Sequence, residues 1–314
     1  MNNESAITVR NLSKKFGSFI AVDDISFDVM KGEIFGFLGA NGAGKSTTIR
    51  MLIGVLSIDK GEVIVGGYDV GRKPDTVKGI IGYMSQKFSL YTDLTVEENL
   101  HFYGRTYGLE KEEISKRISQ VLATIKLNGR EKAKAEELSG GLKQRLALGC
   151  SIIHKPEIIF LDEPTSGVDP ISRRNFWELI NNLVEDGTTV LVTTHFLEEA
   201  EYCNRIMLMH SGKLIAQGTP KHLKQNSIRN TILDIESNKI VEAMELLQRQ
   251  DWISDVSIFG RHIHISIDDE EKAKERIYKL CQSSNIEIIN IRKIMPSLED
   301  VFIHLVEEKN SHAS

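Results

Sequence analysis

Cysteine is scarce in this sequence of 314 residues, and long apolar runs are absent. The three cysteines, Cys150, Cys203 and Cys281, stand far apart without metal-ligand spacing. They therefore favour packed thiols in a reducing compartment over a disulfide framework or a zinc site. No apolar run approaches the ~18–20 residues of a membrane-spanning helix, and the polar residues 1–6 do not resemble the start of a signal peptide. We expect a cytoplasmic chain, so that any membrane part of its function belongs to another chain.

An excess of positive charge is also missing. The 39 lysines and arginines are outnumbered by 44 aspartates and glutamates, which gives a formal net charge of −5. This balance provides no overall basic surface for nucleic acid, so we expect no nucleic-acid partner. The hydrophobic content of 41% and the charged content of 26% are ordinary for a globular protein. The length accommodates one large α/β domain and one small domain.

A glycine-rich loop, Gly-Ala-Asn-Gly-Ala-Gly-Lys-Ser, occupies residues 39–46. It follows the almost wholly apolar segment 34–38, which is typical of a buried parallel strand, and precedes a helix predicted from Ser46 to Leu56. In that context the backbone N–H groups of such a loop cradle phosphate oxygens. We expect Lys45 to reach the β- and γ-phosphates and Ser46 to ligate Mg²⁺. The predicted phosphate contacts are Gly39, Asn41, Gly42, Ala43, Gly44, Lys45, Ser46 and Thr47.

A second apolar strand, predicted over residues 158–161, ends in the two acids Asp162 and Glu163. Ligands bind at the carboxyl ends of parallel strands, so we expect Asp162 to hold Mg²⁺ there. Glu163 is then placed to orient or deprotonate an attacking water. The alternative is a solvated acidic pair at a strand end, and Pro164 with the turn at residues 165–170 argues against it.

A Ser-Gly-Gly turn at Ser139, Gly140 and Gly141 predicts the start of a helix, with Ser139 as the cap and with N–H groups left bare by the glycines. A plain helix cap is one interpretation. The other is a second phosphate contact, although the glycine-rich loop of the same chain already holds the phosphates.

Along the chain the Ser-Gly-Gly turn lies between the glycine-rich loop and the strand with the two acids, and in that order the three motifs resemble those of the ATP-binding subunits of ATP-binding cassette (ABC) transporters over about residues 5–225. The resemblance implies that Ser139, Gly140 and Gly141 contact the γ-phosphate of ATP bound to a second subunit. It also implies that Asp169 belongs to a loop crossing the dimer interface. Leu142 departs from the usual pattern, which has glutamine there.

Three further residues gain roles through the same resemblance. Gln86 matches the glutamine that senses Mg²⁺ and water, and it is predicted as a catalytic residue and a metal ligand. His195 matches the histidine that contacts the γ-phosphate and sets the geometry of attack. Phe16 matches the aromatic residue, commonly tyrosine, that stacks on adenine. A structural histidine and an ordinary strand-end aromatic are the alternatives for the last two.

We therefore expect an α/β fold: a P-loop NTPase cassette core with an antiparallel β subdomain and a helical subdomain at about residues 87–153, all within residues 1–225. Residues 226–314 follow the order β-α-β-β-α-β, which predicts a small α+β ferredoxin-like domain. That domain resembles the extra domain of drug-exporter cassette ATPases of the daunorubicin type. Its residues His262 and His264 share a strand face and are expected to be solvated.

The resemblance implies a catalytic set of Lys45, Gln86, Glu163 and His195 that hydrolyses ATP with Mg²⁺. Two copies, or this chain and a homologue, would close around two ATP and drive an integral-membrane permease that exports drugs or other hydrophobic compounds. The chain would lie peripherally on the cytoplasmic face of the cell membrane. The segment 88–91 is a candidate for the groove that receives the permease.

Two alternatives remain. One is a soluble cassette ATPase acting on ribosomes or DNA, although such proteins usually have two cassettes or a long coiled coil, and neither is evident here. The other is a small-molecule kinase with the same loop, which leaves the Ser139 turn and His195 unexplained.

Overall fold

The computed structural model describes residues 4–87, 89–228 and 230–311. They divide into two compact units, one ending at Thr219 and one beginning at Pro220, whereas the boundary predicted from the sequence is at residue 225. Among the described residues, none of the helices combines the length and apolar character that crossing a membrane requires.

The first unit is built from two sheets and their helices. Its strands are β1 Ser5–Phe16, β2 Phe19–Met30, β3 Ile34–Leu38, β4 Lys60–Val65, β5 Tyr68–Asp69, β6 Ile81–Met84, β7 Ile158–Asp162, β8 Thr189–Thr194, β9 Arg205–His210 and β10 Lys213–Gly218. Its helices are α1 Lys45–Leu52, α2 Pro74–Ile80, α3 Val96–Thr106, α4 Lys111–Thr124, α5 Gly140–Ile152 and α6 Pro170–Glu185.

The larger sheet has the order β10-β9-β3-β8-β7-β6, and its five strands other than β10 run parallel. Every residue of β3, β7 and β8 is buried, including the threonines of β8 and Asp162 at the end of β7. The antiparallel sheet β2-β1-β4-β5 packs onto it through a core that includes the mutually contacting rings of Phe27, Phe35 and Phe37. The carboxyl ends of β3, β6, β7 and β8 therefore share one edge, where the predicted nucleotide residues meet.

Helix α1 is shorter than predicted. It ends at Leu52 instead of Leu56, because the next glycine, Gly54, adopts φ 68 and donates its N–H to the carbonyl of Met51. Helix α2 was not predicted, and it ends at Ile80, directly before strand β6.

The helical part of the first unit comprises α3, α4 and α5. Helix α3 begins with a capping box at Thr95, whose hydroxyl accepts from Glu98 N at 3.2 Å while its own N–H donates to the Glu98 carboxylate at 2.8 Å.

The second unit contains the predicted β-α-β-β-α-β sequence, with one unpredicted helix before it. Its strands pair antiparallel in the order β12-β13-β11-β14, and α8 and α9 contribute to its apolar core. The elements are α7 Pro220–Asn226, β11 Thr231–Ser237, α8 Ile240–Gln248, β12 Asp255–Phe259, β13 His262–Ile267, α9 Glu270–Ser283, β14 Ile288–Ile294 and α10 Leu298–Ser311.

The prediction of solvated histidines is wrong for His264. Its side chain is 12% exposed, and its two ring nitrogens lie 3.1 Å from Asp300 Oδ1 and 3.6 Å from Asp234 Oδ1. His262 Nδ1 lies 3.0 Å from the same Asp234 oxygen. A buried carboxylate requires such partners. In the part of the chain that the structure describes, no group of three or more His, Cys, Asp and Glu side chains could hold a metal ion.

Candidate functional site

The glycine-rich loop connects the buried strand β3 to helix α1 and determines where Lys45 lies. Gly44 adopts φ 105, and a Cβ there would lie 2.5 Å from the carbonyl oxygen of Ala21, so only glycine fits. The buried Lys45 ammonium donates to the Gly39 carbonyl at 2.7 Å and to the Ala40 carbonyl at 3.2 Å. Burial lowers the pKa of Lys45, and the nearby Glu163 carboxylate opposes this shift only in part.

Ser46 and Asp162, both predicted to hold Mg²⁺, lie side by side. The Ser46 hydroxyl donates to Asp162 Oδ1 at 3.0 Å, and the Thr193 hydroxyl donates to the same oxygen at 2.7 Å. Hydroxyl and carboxylate oxygens are the ligands that Mg²⁺ prefers, so this pair fits the ion. Gln86, the third predicted ligand, does not contact this pair through any described hydrogen bond; its amide donates to Glu163 instead.

Glu163 is the meeting point of the predicted catalytic residues. Its Oε2 accepts from Gln86 Nε2 at 3.0 Å and lies 3.2 Å from His195 Nδ1, and its Oε1 lies 3.4 Å from Lys45 Nζ. Glu163 has φ 47, a sparsely populated backbone conformation for a residue other than glycine. Its N–H donates to the Thr193 hydroxyl at 2.9 Å, which holds this conformation.

Thr193 is absent from the sequence prediction. In the structure β8 runs parallel to β7, and Thr193 is the Cα partner of Asp162. A hydroxyl residue at the end of the neighbouring strand is therefore a candidate partner for the acid. Finding it requires the strand register, which the sequence pattern does not provide.

The Ser139 turn lies at the N-terminus of helix α5, as predicted. The Ser139 side chain accepts no capping hydrogen bond, however, so the expected side-chain cap is not formed. A Cβ added at Gly140 would meet nothing within 4 Å, whereas one at Gly141 would lie 2.6 Å from Ser172 Oγ. Asp169 caps the next helix, α6, by accepting from Ser172 N at 2.9 Å.

A cavity of about 360 Å³ lies over the glycine-rich loop. Its described lining residues are Phe19, Ala21, Asn41, Gly42, Ala43, Gly44, Lys45, Ser46, Thr47, Gln86 and Glu163. The Ser139 turn and Asp169 do not belong to this lining. The residues from Asn41 to Thr47, predicted to contact phosphate, therefore all line this cavity. The Ser139 turn of the same chain does not line it.

Phe19 was also missed by the sequence analysis. It lines the cavity and is 61% exposed, whereas Phe16 is not part of the lining. The two are Cα partners across the hairpin between β1 and β2, so both side chains stand on one face of the sheet. Lys14 Nζ lies 5.6 Å from the centroid of the Phe16 ring. The sequence Phe-Gly-Ser-Phe at residues 16–19 could have indicated Phe19, because a tight hairpin there places the two aromatic residues opposite each other.

Comparisons with known proteins match both units. The family described as "ABC transporter" matches residues 22–166, and the family described as "ATP-binding protein DrrA1-3-like, C-terminal domain" matches residues 218–306. The "Linearmycin resistance ATP-binding protein LnrL" of Bacillus subtilis (strain 168) is 38% identical over 303 residues, which are 95% of this chain and 97% of that protein.

Two further similarities each cover about 70% of the chain. The "Probable multidrug ABC transporter ATP-binding protein YbhF" of Escherichia coli (strain K12) is 52% identical over 224 residues, or 71% of this chain. The match spans only 39% of YbhF. An ATP-binding cassette solved as a dimer in a post-hydrolysis state, bound to ADP and Pi, matches with a TM-score of 0.62 and 27% identity, covering 68% of this chain and 98% of that one.

Proposed function

Because this chain belongs to the ABC transporter family of ATP-binding proteins, we propose that it binds and hydrolyses ATP to drive a separate integral-membrane permease. The observation that carries the proposal is the convergence of Lys45, Gln86 and His195 on the Glu163 carboxylate, beside the paired Ser46 and Asp162. The loop, Gln86, the acids and His195 lie at or just after four strand ends, those of β3, β6, β7 and β8, and hydrolysis of a nucleoside triphosphate uses all of them.

Each side chain has a defined task in this proposal. The loop N–H groups and Lys45 bind the phosphates and offset their charge, and Ser46 and Asp162 would hold Mg²⁺, which adds further charge neutralisation when bound. Glu163 accepts the proton of the attacking water. Gln86 and His195 hold the Glu163 carboxylate at 3.0 and 3.2 Å and so fix its direction.

The second subunit supplies the other half of the site. The Ser139 turn does not line the cavity of its own chain, yet the space at Gly140 is open and the N–H groups of α5 begin there. We propose that two such chains, identical or homologous, close head to tail, so that each turn and each Asp169 loop faces the ATP of the other chain. The dimeric state of the related cassette supports this arrangement.

Export is the proposed direction of transport. The match of residues 218–306 to the DrrA-like domain and the names of the relatives, which include multidrug transport, linearmycin resistance and Nod factor export, support it. By the same analogy, drugs or other hydrophobic compounds are the proposed substrates, and the chain lies on the cytoplasmic face of the cell membrane through its permease. The relatives lend no support to the alternative of an ATPase acting on ribosomes or DNA.

The proposal is tested by copurifying the chain in detergent with its permease and reconstituting both in vesicles. We expect ATP hydrolysis that requires Mg²⁺ and ATP-dependent transport across the vesicle membrane. A chain that binds ATP but transfers its phosphate to an acceptor other than water would contradict the proposal and favour a kinase.

The aromatic pair at the hairpin yields a prediction on nucleotide affinity. Phe16→Ala and Phe19→Ala should each weaken ATP binding by about fivefold or more, since stacking of a base on an aromatic ring contributes about 1–3 kcal/mol. Titration calorimetry measures this, and inorganic triphosphate, which lacks a base, should bind both variants as it binds the wild type. Tyr68→Ala, at another exposed aromatic residue, is the control. Equal losses for triphosphate would contradict the stacking role.

The candidate permease groove yields a second prediction. Phe88 lies outside the described residues, but Tyr91 is 44% exposed and its ring packs edge-on against Phe102 at 4.5 Å. Exposed aromatic groups favour a protein interface. Tyr91→Asp should therefore abolish transport in the reconstituted complex and leave the ATPase activity of the isolated chain unchanged. Loss of that activity or of solubility would instead indicate that Tyr91 belongs to the internal packing of the helical part.

A further inference from the structure

Two charged side chains that the nucleotide site does not use lie near His195. Glu199, in the 3-10 helix Leu197–Tyr202, is 1% exposed, and Arg173, in the first turn of α6, is 22% exposed. Arg173 Nε lies 3.5 Å from Glu199 Oε1. Burying a carboxylate is costly unless it is paired, and a hydrophobic pair of similar size often stabilises a fold as well or better. Stabilisation of the fold is therefore not a sufficient reason for a buried ion pair between Arg173 and Glu199.

Glu199 also contacts the loop between the catalytic acids and α6. The Thr165 hydroxyl donates a hydrogen bond to Glu199 Oε1 in a buried environment. Thr165 lies between Glu163 and Asp169, and the turn around it is tight, because Ser166 N donates to the Glu163 carbonyl and Val168 N to the Thr165 carbonyl. Through Thr165, Glu199 thus fixes the segment that begins at the catalytic base and ends at the predicted dimer-interface residue.

Arg173, the partner of Glu199, also contacts Phe196 and Asp169. Its guanidinium carbon lies over the Phe196 ring, 4.0 Å from the ring centroid, a cation–π contact on which a flat guanidinium group can stack. The Phe196 ring lies 4.1 Å from the ring of His195. The backbone N–H of Arg173 donates to the Asp169 carbonyl at 2.9 Å. Arg173 is thereby connected to the histidine and to the interface loop at once.

We infer that Arg173 and Glu199 are positioning residues for His195, which they hold through Phe196, and that they connect this histidine to the Asp169 loop of the same chain. A movement of the Asp169 loop on dimer closure then reaches the γ-phosphate histidine through side chains in van der Waals or hydrogen-bond contact. The inference rests on the proposed ATPase function, which gives His195 its role.

The test uses Arg173→Lys, which keeps the positive charge but loses the flat stacking group, and Glu199→Gln, which keeps an acceptor for Thr165 but loses the ion pair. Steady-state ATP hydrolysis should show kcat lowered by about tenfold or more, as small misplacements of catalytic groups do, with KM and ATP affinity unchanged. In a His195→Ala background neither substitution should lower kcat further, because the residue that they position is gone. Arg174→Lys, at the exposed neighbour on α6, is the matched control and should retain wild-type kcat.

Losses of kcat that add to that of His195→Ala would overturn the inference, as would wild-type kcat in both variants or a parallel loss of ATP affinity. If Arg173→Lys lowers the Tm so far that no folded protein is obtained, Glu199→Gln tests the inference by itself. Its kcat is then compared in the wild-type and His195→Ala backgrounds. A wild-type chain that does not hydrolyse ATP would instead contradict the proposed function, so the two failures are distinguishable.

Discussion

Replacing Glu163 with glutamine should reduce ATP turnover by about 10²–10⁴-fold, the usual contribution of a general base. The amide has the shape of the carboxylate, so it can still lie between Gln86 and His195, but it cannot accept the proton of water. ATP binding should persist, because the loop contacts and the Ser46–Asp162 pair are unaltered. Since closure would no longer be followed by hydrolysis, the ATP-bound dimer should accumulate, which size-exclusion chromatography with ATP and Mg²⁺ detects.

Glu157→Gln provides the matched control for this substitution. Glu157 is exposed and precedes the opposite end of strand β7, so the same loss of a carboxylate there should leave turnover at the wild-type value. Unchanged turnover in Glu163→Gln would remove Glu163 from the role of base. If this variant binds ATP fully but stays monomeric, and finds no homologous partner, the shared-site proposal is contradicted.

Replacing Gly140 with aspartate should abolish productive closure while leaving the chain folded. A Cβ at Gly140 meets nothing within 4 Å, so the larger side chain fits the isolated chain without displacing neighbours. In the proposed dimer that open space receives the γ-phosphate of the partner's ATP, and a carboxylate there repels it. We expect ATP hydrolysis to fall by about 10²-fold or more, since removing one preorganised electrostatic contact costs about as much in other enzymes.

The measurement separates binding within one chain from contact between chains. ATP affinity of the Gly140→Asp monomer should equal that of the wild type, because Gly140 does not line the cavity, while ATP-dependent dimerisation should be lost. Gly79→Asp is the control, since Gly79 also has open space around its Cα and lies in α2. Reduced ATP affinity in the Gly140→Asp monomer would indicate that the turn binds the nucleotide of its own chain.

The sequence predicted those parts of the fold that depend on local chemistry. The loop at residues 39–46 and the acids at the end of β7 each combine backbone geometry with side chains a few residues apart. The end of α1 depends on Gly54 and its left-handed conformation, a signal that the apolar residues up to Leu56 obscured. The pairing of His264 with Asp234 and Asp300 depends on residues far apart in the chain, so the strand pattern gave no indication of it.

For the nucleotide site, the order of residues along the chain was enough to predict which groups would bind phosphate, hold a cation or accept a proton, because these properties belong to residue types and short motifs. The distances between them, the hydroxyl of Thr193 on Asp162 and the Arg173–Glu199 connection behind His195 arise from strand register and helix packing. These contacts join residues separated by tens of positions, and their geometry exists only once the parallel strands have paired and buried their apolar side chains.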